Sequence, residues 1–239
     1  RLVGSEMCIR DRESGRVEGD ENPVLYRGQG VFTALEHEVM HQETLLYLCH
    51  RFEPERKARP EGLTLIVEGN PPKSMMVRVP AGRATLGAEL EEIQFGWDNE
   101  FPTAYVDVMA FEIDAYDVTN QQYLEFIQAG GYTQQALWSP RAWERQVTSQ
   151  RTHALFWERK DDRWLWRGMF AQVPLPMAWP VYVTHDEATA YARWKGCRLP
   201  TEAEFHRAAY GAPDETERAH PWGDAEPDQT HGNFDFQHC

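Results

Sequence analysis

WPVYVTHDEATAYARWKGCRLPTEAEFHRAAYG, residues 179 to 211, carries two helix starts and two helix stops in one run. Thr184 with Glu187, and Thr201 with Glu204, fit the S/T-x-x-E/Q capping box, in which each side chain satisfies a backbone N–H that the first helical turn leaves open. A helical run comes after each box and ends at a glycine, Gly196 or Gly211, the residue that most readily stops a helix. Upstream, Thr119 with Gln122 repeats the device and stops at Gly130–Gly131. Each box contributes ~1 kcal/mol of helix stability, so these residues are structural rather than catalytic.

Between the first and second of these helices, Trp138 to Trp179 holds six of the nine tryptophans and reads as irregular chain. Tryptophans in a loop-rich region supply the core that regular elements would otherwise provide, although a wall for a trimethylammonium group is the alternative. Farther upstream, MMVRVPAGRATLGA (Met75 to Ala88) offers a strand, a Pro-Ala-Gly turn and a second strand. FGWDNEFP (Phe95 to Pro102) sets Asp98, Asn99 and Glu100 between aromatics and reads as an Asx-type turn, with a share in a substrate cleft as the other reading. The whole is α+β, with short strands and much loop.

Composition suits a globular protein, at 41% hydrophobic and 12% aromatic residues. The formal charge of −14, from 38 acidic and 24 basic residues, argues against nucleic acid as partner, since phosphate needs a basic face. No apolar run approaches the ~20 residues of a membrane span. Cys8, Cys49, Cys197 and Cys239 form no CxxC pair, which points to a reducing, cytoplasmic setting rather than a disulfide framework. RLVGSEMCIRDR, residues 1–12, has no signal-peptide apolar core and no period shared with the downstream chain, so it reads as a non-native segment.

Val31 to Phe52, VFTALEHEVMHQETLLYLCHRF, forms one long amphipathic helix. At ~100° per residue, Val31, Ala34, Leu35, Val39, Leu45, Leu46, Leu48, Cys49 and Phe52 share a broad arc. One helix cannot bury its own stripe, so its partners come from elsewhere. Residues 53 to 73, with Pro54, Pro60, Pro71 and Pro72, read as a linker.

His37 and His41 are four apart, ~40° and one turn from each other, at the rim of the apolar arc beside Leu48. Two imidazoles so placed can reach one metal inside a helical bundle, or can be two partly buried, hydrogen-bonded histidines. Glu43 lies ~240° round from His37 and ~200° from His41 and points away. His37-Glu38-Val39-Met40-His41 also matches the H-E-x-x-H zinc-protease string, with Glu38 as base. Its extended form fails at Thr44 and Tyr47, and the downstream glutamates fall in the linker. His153, His185, His206, His220, His231 and His238 show no metal-ligand spacing and default to surface or packing roles.

HEVMHQETLLY resembles the last helix of the DinB-like four-helix bundle of ergothioneine-type sulfoxide synthases. VPAG, FGWDNEFP, DVTNQQYLEFIQAGGY (Asp117 to Tyr132), the run from Trp179 to Gly211 and PWG (Pro221 to Gly223) are similar to the formylglycine-generating-enzyme-like domain of the same proteins, a variant of the C-type lectin fold. The resemblance implies residues 13–56 as the remnant of a metal-binding helical domain, 57–73 as linker and 74–239 as a lectin-like domain cut short at its C-terminus. It implies that His37 and His41 bind iron(II), Fe(2+), with a third histidine upstream. It further implies an O2-dependent reaction joining a cysteine-type thiol to the imidazole of hercynine, with the chain alone inactive. Hercynine-using relatives often carry glutamine where Met40 stands, which makes Met40 a substrate-binding candidate and leaves histidine-using (ovothiol) and selenium-using (selenoneine) variants open. A formylglycine-generating oxidase and a non-catalytic lectin-like module are the competing functions.

Overall fold

The computed structural model describes residues 26–62, 67, 69–212, 214 and 216–232. The expected non-native segment and His238 lie outside these residues. Two compact units divide the chain: one holds the chain up to Glu53 together with Thr85–Val106, the other Pro54–Ala84 together with the chain from Asp107 onward.

In the first unit, helix α1 spans Gln29–Arg51. Gly28 precedes it in the left-handed region (φ 75°), a conformation that glycine takes at little cost. His50 and Arg51 occupy the last turn, where positive charge meets the negative end of the helix dipole, and the N–H of Phe52 closes the end on the carbonyl of Cys49 at 3.1 Å. The segment that returns to this unit turns at a short 3-10 helix, Asp98–Glu100. The side chain closing that turn is Glu100, whose carboxylate accepts from the backbone N–H of Trp97 at 2.9 Å.

In the second unit, β1 (Met76–Val79) pairs antiparallel with β4 (Phe111–Asp114), with Val79 opposite Phe111. After β1 comes β2 (Gly82–Leu86), which pairs with β3 (Ala104–Val108); Thr85–Leu86 and Ala104–Val106 of these strands belong to the first unit. The two strands read from Met75 to Ala88 therefore go to different partners and make no hairpin.

Helices α2 (Asn120–Gln128), α4 (His185–Trp194) and α5 (Glu202–Tyr210) start on the three expected boxes, and each box is reciprocal. In the second, Thr184 N–H donates to Glu187 Oε2 at 2.8 Å and Glu187 N–H to Thr184 Oγ1 at 3.3 Å. Gly130 and Gly196 come after their helices with φ of 78° and 74°. Gly211 differs: it caps α5 at φ −68°. Glycine is needed there for space, because a Cβ would lie 2.5 Å from Arg207 Nη1.

The stretch from Trp138 to Trp179 is more regular than its sequence suggests. It holds helix α3 (Pro140–Ser149) and a three-stranded antiparallel sheet of β5 (Trp157–Lys160), β6 (Arg163–Arg167) and β7 (Gln172–Pro174). Ser139 caps α3, accepting from the N–H of Ala142 at 3.2 Å, and Pro140 stands in the first turn, where its missing N–H costs nothing.

An aromatic core joins these pieces. Tyr123 and Phe126 of α2 are fully buried, three residues apart and so on one face. They meet Tyr191 of α4 at ring separations of 5.7 and 5.8 Å, and Trp157 of β5 lies 6.1 Å from Tyr123. Trp138 and Trp157 are buried in this cluster, with Trp143, Trp164 and Trp166 packed on its edge. The tryptophans build the core rather than a ligand wall.

Candidate metal centre

His37 and His41 lie on α1, and their rings stand edge to face with centroids 4.3 Å apart. Helix geometry alone brings them together, since the i, i+4 spacing stacks one imidazole a turn above the other. Both side chains are exposed, as is α1 from Thr33 to Leu48. Among the described residues no group of three or more His, Cys, Asp or Glu side chains could enclose a metal ion. The pair fits a divalent metal as two neutral nitrogen donors of a larger set.

Met40 is about half exposed, at 47%, and its carbonyl accepts from Thr44 Oγ1 at 2.8 Å. Glu43 is occupied elsewhere, because Tyr47 OH donates to its Oε1 at 2.7 Å, one turn along the same helix. Glu38 is exposed, with no described acid or histidine group to complete a protease site. The apolar arc of α1 is open as well: Leu35, Val39, Leu45 and Leu48 are each at least half exposed.

Sequence reading missed what touches the start of α1. Gln29 Nε2 donates to the carbonyl of Gln94 at 3.0 Å, and Gln94 Nε2 donates to the carbonyl of Arg27 at 3.3 Å. Arg27 Nη1 donates to the carbonyl of Leu90. Phe32 packs on Phe95 at 6.0 Å, and Phe95 meets Trp97 edge to face at 5.5 Å. The aromatic-rich FGWDNEFP string was the only sequence signal for these contacts, but nothing in it names α1 as the partner.

The second unit offers a competing cleft of about 260 Å³ beside α3 and the start of α4. Its charges neutralise each other. Arg145 donates through Nε and Nη2 to Asp186, and Arg151 stands 3.7 Å from Glu187. Glu187 also accepts from Thr184 and, at 2.6 Å, from Tyr132 OH, which stands 3.1 Å from Tyr123 OH. Burial drives both tyrosine hydroxyls well above the usual phenol range, so they remain protonated links in this chain. The cleft is lined by groups that hold the fold.

A family model for the sulfatase-modifying factor enzyme 1-like domain matches residues 66–238. The chain is similar to the hercynine oxygenase of Mycobacterium tuberculosis, 40% identical over 155 residues, covering 64% of this chain and 36% of that protein. It is also similar to the hercynine oxygenase of Mycolicibacterium smegmatis, 34% identical over 205 residues, covering 84% of this chain and 46% of the relative. The inactive C-alpha-formylglycine-generating enzyme 2 of Bos taurus is 32% identical over 181 residues, 68% of this chain and 57% of its own. The chain thus spans between a third and a half of these hercynine oxygenases. A match over 84% of the chain is longer than residues 66–238, so it has to run upstream into α1.

Proposed function

We propose, from the premise that this chain belongs to the sulfatase-modifying factor enzyme 1-like domain family, that it is the part of a sulfoxide synthase joining a metal-binding helix to its lectin-like domain. The reaction class is the O2-dependent joining of a cysteine-type thiol to the imidazole of hercynine, with oxidation of the sulfur. The observation that carries this reading is the combination of the His37–His41 pair on α1 with the family domain downstream. The hercynine oxygenase match that runs from the domain into α1 supports it. A match over 68% of the chain, as for the inactive formylglycine-type relative, fits within the domain alone.

In this reading residues 13–56 belong to a helical metal-binding domain, 57–73 link, and 74–239 belong to the lectin-like domain. His37 and His41 would hold iron(II), with the remaining ligands supplied from outside the described residues. Bound there, iron would supply a redox-active centre with open positions for oxygen and a thiol. The exposed arc of α1 is the face on which further helices of that domain would pack and exclude water. Met40 brings a thioether that cannot donate a hydrogen bond, so it would meet the imidazole substrate by contact alone. Cys49 and Cys197 are free thiols, which supports a cytoplasmic setting.

The test is a product assay on the complete protein with hercynine, a cysteine-type thiol and oxygen, read by mass spectrometry. Formation of the sulfur-bridged sulfoxide is expected, and Met40→Gln should raise the preference for hercynine over histidine. An unchanged preference removes Met40 from substrate recognition. Oxidation of a peptidyl cysteine to formylglycine, without the sulfoxide, would replace this reading with that of a formylglycine-generating oxidase.

A further inference from the structure

We infer that the loop from Leu90 to Trp97 is a positioning brace for the histidine helix, acting on metal affinity without touching the metal. This rests on the reading of His37 and His41 as ligands. The contacts are four and fall on the first turn of α1 and on Arg27 just before it: Arg27 on Leu90, Gln29 on Gln94, Gln94 back on Arg27, and Phe32 against Phe95. The fold agrees with it, since Thr85–Val106 belongs to the same compact unit as α1.

Direction decides between a brace and a lid. Phe32 is ~140° from His37 and ~180° from His41 around the helix, and ~7.5 Å along the axis from His37. The loop therefore grips the side of α1 away from the imidazoles and leaves their approach open. A lid would cover the metal face; this loop fixes the helix from behind. Most of a helix's stability in a protein comes from packing of its apolar face, and α1 is exposed from Thr33 to Leu48, so fixing its first turn limits how far the two imidazoles can drift. Groups hydrogen-bonded directly to metal ligands change affinity about 10- to 100-fold when removed, and a brace one contact farther out is expected at the low end of that range.

The experiment uses the complete protein with cobalt(II) as probe. It reads affinity from visible absorption, and it reads backbone hydrogen exchange over residues 33 to 48 without metal. Phe95→Ala is expected to weaken cobalt binding about tenfold and to speed exchange across the helix. Phe95→Leu, which keeps the apolar bulk, should restore most of both. Gln29→Met is a milder variant in case Phe95→Ala does not fold, and should shift both readouts in the same direction. Faster exchange with unchanged cobalt affinity would make the loop a structural contact only, and no change in either would remove the brace. If His37→Ala and His41→Ala bind cobalt as tightly as the wild type, the metal assignment itself falls, whatever Phe95 does.

Discussion

The guanidinium of Arg207 is buried, and its Nε has no hydrogen-bond partner among the described residues. Its Nη1 donates to the carbonyl of Ala212 at 3.5 Å. A Cβ at Gly82 would lie 2.6 Å from its Cζ, and one at Gly211 2.5 Å from Nη1, so two glycines make room for one side chain. Gly82→Ala should therefore destabilise by ~1–3 kcal/mol, the usual cost of overfilling a packed site. In the Arg207→Met background the same change should cost much less, and urea unfolding of the four proteins measures that coupling. Glu204 gives the residue-scale pH prediction. Arg198 donates to both its oxygens at 2.6 Å, and with the Thr201 N–H this holds its carboxyl down at about 2. A carboxyl whose pKa falls on folding stabilises the fold above its ordinary value and loses that contribution as pH drops. The wild type should lose stability between about pH 4.5 and pH 2, and Glu204→Gln should flatten that part of the curve in urea titrations at each pH. The capping role of Glu204 was legible because its partner is three residues away. Arg207 was not, because its burial depends on Gly82, far upstream in the chain.

At the scale of elements, what sequence revealed and what it hid divide along the same line. The three boxed helices announce themselves by local chemistry. Helix α3 does not: Ala142 stands where a box would need Glu or Gln, and Gln150 rather than glycine takes the left-handed cap at φ 51°. The helix buries only Ala142 fully, with Trp143 packed at the edge of the core, so its short apolar face offers little to read. The hairpin of β5 and β6 was hidden for a related reason. Its turn places Asp161 and Asp162 at φ 46° and 61°, the two positive-φ positions of a type I′ turn, where Asn-Gly is the stronger signal. Asp162→Gly should thus stabilise the hairpin or leave it unchanged, by no more than ~1 kcal/mol, even though it removes the exposed pair with Arg159 at 2.9 Å. A thermal melt showing a loss of more than that would mean the Arg159 contact outweighs the backbone strain.

Over the whole molecule, the formylglycine-generating-enzyme-like domain was legible from motif strings, and the family match over residues 66–238 bears out that domain. The discontinuous make-up of the first unit was not legible, because helical periodicity tells which face of α1 is apolar but not which distant segment meets its first turn. The functional account stands on α1: two imidazoles one turn apart, and Glu43 turned to Tyr47 instead. The most direct measurement is the iron content of the complete protein, purified anaerobically, as wild type and as the His37→Ala, His41→Ala and Glu43→Ala variants with folding checked by circular dichroism. The account predicts normal loading in the wild type and Glu43→Ala and lost loading in both histidine variants; normal loading in His41→Ala, or lost loading in a folded Glu43→Ala, would contradict it.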